Sequence, residues 1–234
     1  MKIKSLLFLA VYLAALGFVP QLRAAVFVTV DFEATIVESP FTLEGFGVGD
    51  GQNKIRGEYW YEQTAPPIDT GNNFSVYRGG VMTLVFLPDE RPSQFSAAPV
   101  ELRIDHSVAG AAGNPADVYS VTGFNLGITT LEGFRPAVAN LTMVDTDSAV
   151  YANLTPPYPV DILDPAQFES KTLTVSFLSG VGAPFERRDI VARVDSIGVS
   201  AVSTVPESGS TLWLLGASMG VLALAKRRGA TALR

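Results

Sequence analysis

The chain has 234 residues, 47% of them hydrophobic and 17% charged, with 21 Gly, 15 Pro, no Cys and one His. This length bounds it to one ordinary domain or two small ones, and the composition excludes a collagen repeat, a coiled coil and a disulfide-stapled scaffold. A formal net charge of -6 argues against a general phosphate-binding surface, which needs clustered Lys and Arg, so nucleic acid is not an expected partner.

At the start, Lys2 and Lys4 precede an apolar run from Leu6 to Val19, followed by Pro20 and then Leu22-Arg23-Ala24-Ala25. Charged, apolar and small residues in that order mark residues 1–24 as a secretory signal peptide, with signal peptidase expected to cut after Ala24. As a helix, the apolar run of about 14 residues rises only about 21 Å, short of a ~30 Å hydrocarbon core, so it reads as a leader handed to the secretion machinery rather than as an anchor.

Residues 25–204 form the expected body. Between residues 25 and 205 there are ten Lys or Arg against 22 Asp or Glu, a net charge of -12. Such a field favours solubility and cations and opposes anionic surfaces. An exported domain without cysteine must be held by packing, and about 180 residues bury enough apolar surface for that.

Val26 to Val37 alternates, with Val26, Val28, Val30, Phe32, Ala34 and Ile36 on the predicted core face. Further β-rich runs are predicted at Lys54–Gln63, Val76–Leu87, Val100–Ser107, Asp117–Thr129, Ala137–Val144, Thr172–Leu178 and Ile190–Val202, separated by Gly, Pro, Asn and Asp clusters. A helical turn is expected only near Pro165–Phe168. The predicted fold is all-β: an antiparallel β-sandwich, jelly-roll-like, with a signal helix before it and a transmembrane helix after it.

Within that body, Glu58, Trp60 and Glu62 share one strand face, a pattern that suggests a sandwich-fold glycosidase. Their spacing speaks against it: the Cα atoms of Glu58 and Glu62 lie about 13 Å apart along a strand, wider than glycoside cleavage uses. Tyr59, Trp60 and Tyr61, with Phe74 and Tyr77, form a candidate stacking platform for sugar rings. His106 lacks a second His or any Cys to complete a zinc site, and no Gly-x-Ser-x-Gly elbow occurs in the body, so it is expected to be a strand-end histidine without catalytic work. No cofactor is expected; calcium is the one metal considered, through Asp50 and the pair Asp145 and Asp147 in turns, although neither place has EF-hand spacing. Asn73, Asn140 and Asn153 begin triplets that match the N-glycosylation acceptor pattern.

The C-terminal residues 205–234 carry a second apolar run, Thr211 to Ala225, after Val205-Pro206-Glu207-Ser208-Gly209-Ser210 and before Lys226-Arg227-Arg228. The run has no polar stripe. Lys226, Arg227 and Arg228 would keep the far end of such a span on the cytoplasmic side and leave the body facing outward.

This tail resembles the PEP-CTERM class of bacterial sorting signals, and within it the variant reading Val-Pro-Asp-Ser-Gly-Ser-Thr, with Glu207 in place of the usual Asp. The resemblance covers about 25 residues. It implies recognition of Val205, Pro206, Glu207, Ser208 and Gly209 by an exosortase, a membrane-embedded cysteine transpeptidase-like enzyme that cuts near the motif. A looser resemblance links Gly45–Asp50, Gly57–Glu62, Asp69 and Tyr77–Val81 to a domain recurring in exported PEP-CTERM proteins. The expectation is therefore an exported, non-enzymatic bacterial protein of structural or adhesive type. It would be a membrane-tethered precursor first and reside at the cell surface or in the extracellular matrix afterwards. The alternative is an extracellular protein that binds polysaccharide or hydrolyses glycosides.

Overall fold

A computed structural model of the protein describes residues 24–41, 53–87, 93–109, 115–127, 130–159, 165–179 and 186–205. The chain divides into a β body, Val26–Ser203, and a unit made of the two ends, Met1–Ala25 with Thr204–Arg234. Residues 1–23 of the expected signal segment, residues 206–234 of the expected sorting tail and the Gly45–Asp50 motif lie outside the described residues. Among the described residues there is no α-helix, and none long and apolar enough to cross a membrane.

The body is all-β. Its strands are β1 (Ala25–Glu38), β2 (Lys54–Glu62), β3 (Asp69–Thr70), β4 (Phe74–Arg78), β5 (Val81–Leu87), β6 (Ser93–Ala97), β7 (Val100–Ala109), β8 (Pro115–Phe124), β9 (Phe134–Asp145), β10 (Ser170–Ser179) and β11 (Arg187–Val205). They join one sheet in the order β3-β4-β7-β8-β9-β10-β11-β1-β2-β5-β6. The strands from β7 to β11 form a meander of antiparallel neighbours. Between β11 and β1, the Thr35 hydroxyl donates to Asp195 and the Ser200 hydroxyl donates to the Thr29 carbonyl, so these two strands also run in opposite senses.

Two short links force this sheet to curl. In strand order β4 and β5 are eight steps apart, which a flat sheet would stretch to about 38 Å at ~4.8 Å per strand. Only Gly79 and Gly80 connect them, a span of at most about 11 Å. Ala98 and Pro99 make an equally short link between β6 and β7. The β5–β6 end must therefore come back over β4, β7 and β8, and a Cβ placed on Gly123 of β8 would lie 2.8 Å from that of Ala97 on β6. The exposed ladder ends are short, two residues at β3 and five at β6, which limits unpaired backbone groups.

The inner face follows the period of two read from the sequence. Val28, Val30, Phe32, Ala34 and Ile36 of β1 are all buried, and they meet Ile55, Tyr59, Met82, Leu84, Leu102, Ile104, Leu141 and Val175 in one apolar cluster. Gly57 is required there, since a Cβ would fall 2.0 Å from the Phe32 ring that covers it. The run predicted as one strand at Val76–Leu87 is two strands, divided at the glycine pair: Gly80 has φ +81°, and a Cβ on it would lie 1.8 Å from the Trp60 carbonyl oxygen. β3 and β6 fall inside segments read as turns, and the turn near Pro165 is a single 3-10 turn, Pro165–Gln167.

Candidate functional site

Two places concentrate polar side chains. The first is a groove of about 830 Å³ on the outer face where β11, β1, β2 and β5 lie side by side. Register aligns Asp31 with Glu58 and Glu58 with Thr83, giving a polar row across three strands. The adjoining row pairs Glu33 with Arg56. Glu33 binds Lys54 and lies 3.6 Å from Arg56, and the Lys54 contact holds its carboxyl below the usual range. Asp31 and Glu58 are exposed and form no ion pair among the described residues. Trp60 stands on the same face of β2, its ring edge-on to Phe27 at 5.6 Å.

The predicted stacking trio does not share a face. Tyr59 and Tyr61 turn inward, 0% and 3% exposed, and stack on each other at 6.2 Å, while Trp60 faces out beside Glu58 and Glu62. Tyr77 is also buried, where its hydroxyl donates to the Tyr158 carbonyl. Phe74 is half-buried and carries the Arg103 guanidinium 4.8 Å from its centroid. Glu62 accepts a hydrogen bond from Thr64.

The second place is a polar network at one end of β4, β7, β8 and β9. Pairing between β7 and β8 shifts between Asp105 and Val108, so His106 and Ser107 together face Asp117 as a β-bulge, with Ser107 at φ +51°. Asp117 is fully buried. Its Oδ1 accepts from His106 Nδ1 at 2.7 Å and from the Ser107 N–H at 3.0 Å, and its Oδ2 accepts from the Tyr151 N–H at 2.9 Å. Directly across the ladder from Asp117 lies Asp145, 2% exposed. Its Oδ2 accepts from the N–H groups of Ala149 and Val150 and its Oδ1 from that of Asp147, so two carboxylates hold the loop that follows β9. Burial pushes the Asp145 carboxyl up, but the backbone donors, with Asp147 beside them, outweigh it and leave the group below its usual range. The neighbouring Asp147 is raised instead, because it shares a hydrogen bond with Asp145.

Of the calcium candidates, Asp50 lies outside the described residues, while Asp145 and Asp147 are engaged by N–H donors of their own loop. Among the described residues no group of three or more Asp, Glu or His stands placed to hold a metal. Val205 is the only described residue of the expected sorting motif and is exposed at the end of β11.

Sequence reading passed over Asp117, although a signal was present. Asp117 shares strand parity with Tyr119 and Val121, and Asp145 with Leu141 and Met143, so both acids occupy core-facing positions. A carboxylate in that register needs buried donors. No known protein-family pattern matches the chain, and no curated protein and no solved structure matches it.

Proposed function

We propose that this chain is an exported bacterial surface or extracellular-matrix protein of structural or adhesive type. Residues 1–24 direct secretion, and residues 205–234 tether the precursor in the membrane as a helix until an exosortase cuts near Val205–Gly209. The observation that carries this reading is the order of the last 30 residues: a Val-Pro-Glu-Ser-Gly motif, an apolar run free of charge, and Lys226-Arg227-Arg228. The body fits the role, since it is acidic and needs no disulfide outside the cell. We read its curled sheet as a jelly-roll-like sandwich, a reading supported by the two-residue links from β4 to β5 and from β6 to β7.

Intact mass of the protein from its native host tests the processing directly. The expected mass begins at Ala25 and lacks Thr211–Arg234; a mass that still includes Thr211–Arg234 overturns the proposal. A second reading, binding of neutral extracellular polysaccharide, is favoured by the outer groove, where Asp31, Glu58 and Thr83 offer hydroxyl-binding groups in a row next to the out-facing Trp60. Glycan-array binding lost in Trp60→Ala and in Glu58→Gln supports it, and an array without hits removes it.

A further inference from the structure

Apart from any surface role, the bulge on β7 brings together three side chains in the order that activates a hydroxyl. Ser107 Oγ lies 3.3 Å from His106 Nε2, and His106 Nδ1 lies 2.7 Å from Asp117 Oδ1. Since Asp117 only accepts, Nδ1 carries the proton and Nε2 presents its lone pair to Ser107. The imidazole is fixed from both sides: Asp117 is fully buried and held by the N–H groups of Ser107 and Tyr151, and the Tyr158 ring packs 5.7 Å from the imidazole. The imidazole itself is 21% exposed and Ser107 is open to solvent, so both are reachable. The positive φ of Ser107 displays the hydroxyl on a sharply turned backbone, the service that a strand-to-helix elbow performs elsewhere.

We propose that Ser107 is a nucleophile, with His106 as its general base and Asp117 as the positioning residue, and that it reacts with neutral carboxylic esters and related electrophiles. Oγ attacks the ester carbonyl while its proton passes to His106 Nε2. The bond to the alkoxide leaving group breaks, and the alcohol departs with that proton. Water, deprotonated by the same nitrogen, then releases the carboxylic acid and restores the serine hydroxyl. The net charge of -12 on the body repels anionic esters, which sets the preference for neutral ones. The Ser107 N–H is committed to Asp117 and gives no help to an oxyanion. Activated electrophiles therefore react fastest, because a missing oxyanion donor costs roughly 10²–10³ in rate.

The test is incubation of the purified full-length chain with a dialkyl fluorophosphate, which loses fluoride to an attacking serine, followed by peptide mass mapping. The expected result is one adduct, on Ser107. Adduct formation is abolished in Ser107→Ala and slowed about 10²-fold in His106→Gln, the loss typical of a general base. An unlabelled Ser107 in folded wild-type protein, or equal labelling in folded His106→Gln, overturns the proposal. Asp117 has its own readout, because His106 is the only histidine and its imidazole nitrogens give unambiguous NMR signals. They report a proton on Nδ1 in the wild type, and a proton on Nε2 there overturns the assigned roles.

Discussion

Replacing Asp117 by Asn tests the network with almost no change in shape. The carboxylate serves three N–H donors with two oxygens: Oδ1 takes His106 and Ser107, and Oδ2 takes Tyr151. An amide has one oxygen. If that oxygen keeps His106 and Ser107, its NH2 group opposes the Tyr151 N–H in a fully buried position, at a cost of about 1–3 kcal/mol. If it turns to Tyr151 instead, His106 must change tautomer and the Ser107 N–H loses its acceptor, on a residue that is itself exposed. The second arrangement is cheaper, so Asp117→Asn should lose about 2 kcal/mol. Asp117→Ala leaves all three donors without an acceptor and should lose about 3–4 kcal/mol. At roughly 2–4 °C per kcal/mol for a body of this size, Asn lowers Tm by about 4–8 °C and Ala by more. Urea and thermal unfolding followed by circular dichroism give both numbers, and hydrogen exchange at the Tyr151 amide locates the loss. An Ala variant within about 0.5 kcal/mol of wild type would refute the idea that this carboxylate holds the bulge and the loop together.

Tyr151→Phe should stabilise the protein by about 1 kcal/mol, because the Tyr151 hydroxyl is buried with no partner among the described residues; a loss measured by urea unfolding would mean that the hydroxyl is bonded. Gly80→Ala should cost at least about 3 kcal/mol, combining a left-handed backbone with a Cβ 1.8 Å from the Trp60 carbonyl oxygen. Gly198→Ala, with open space around its Cβ, should change stability by less than about 1 kcal/mol, and equal unfolding midpoints for the two variants would contradict the packing described. Acid should weaken the fold through Asp145, whose folded-state carboxyl lies below its ordinary value near 3.8. Its contribution is complete above that value and drains away as pH falls through the lower folded one, and the raised group of Asp147 offsets part of it. Urea midpoints should therefore hold steady down to about pH 4 and fall below it, with a smaller fall in Asp145→Asn; equal falls in both proteins would remove Asp145 as the cause.

Much of the sheet was legible because β1 from Val28, β2, and β9 from Ala139 bury every second residue, a pattern that any half-buried strand imposes on its sequence. The same rule already separates Trp60 from Tyr59 and Tyr61, so a three-residue aromatic platform on one strand was not available to this backbone. The division of Val76–Leu87 was hidden because Val76, Tyr77, Val81 and Met82 look continuous; the positive φ of Gly79 and the close approach of Gly80 to Trp60 explain the two glycines between them. β6 lay inside a Pro- and Ser-containing segment and earns its place in the sheet from β5 rather than from its own propensity. The contact of His106 with Asp117 spans a register shift, so no spacing rule pointed to it.

One strand also decides how the body answers a pull. β11 runs for 19 residues without a break and ends at Val205, the first residue of the proposed sorting motif. If the proposed sorting does fix the chain at that end, a pull transmitted through β11 would act along the strand. Its rungs to β10 at Arg187–Arg193 and its contacts to β1 would then be loaded in shear rather than peeled open one after another. A body pulled in that way would yield slowly, since escape requires many bonds to fail at once.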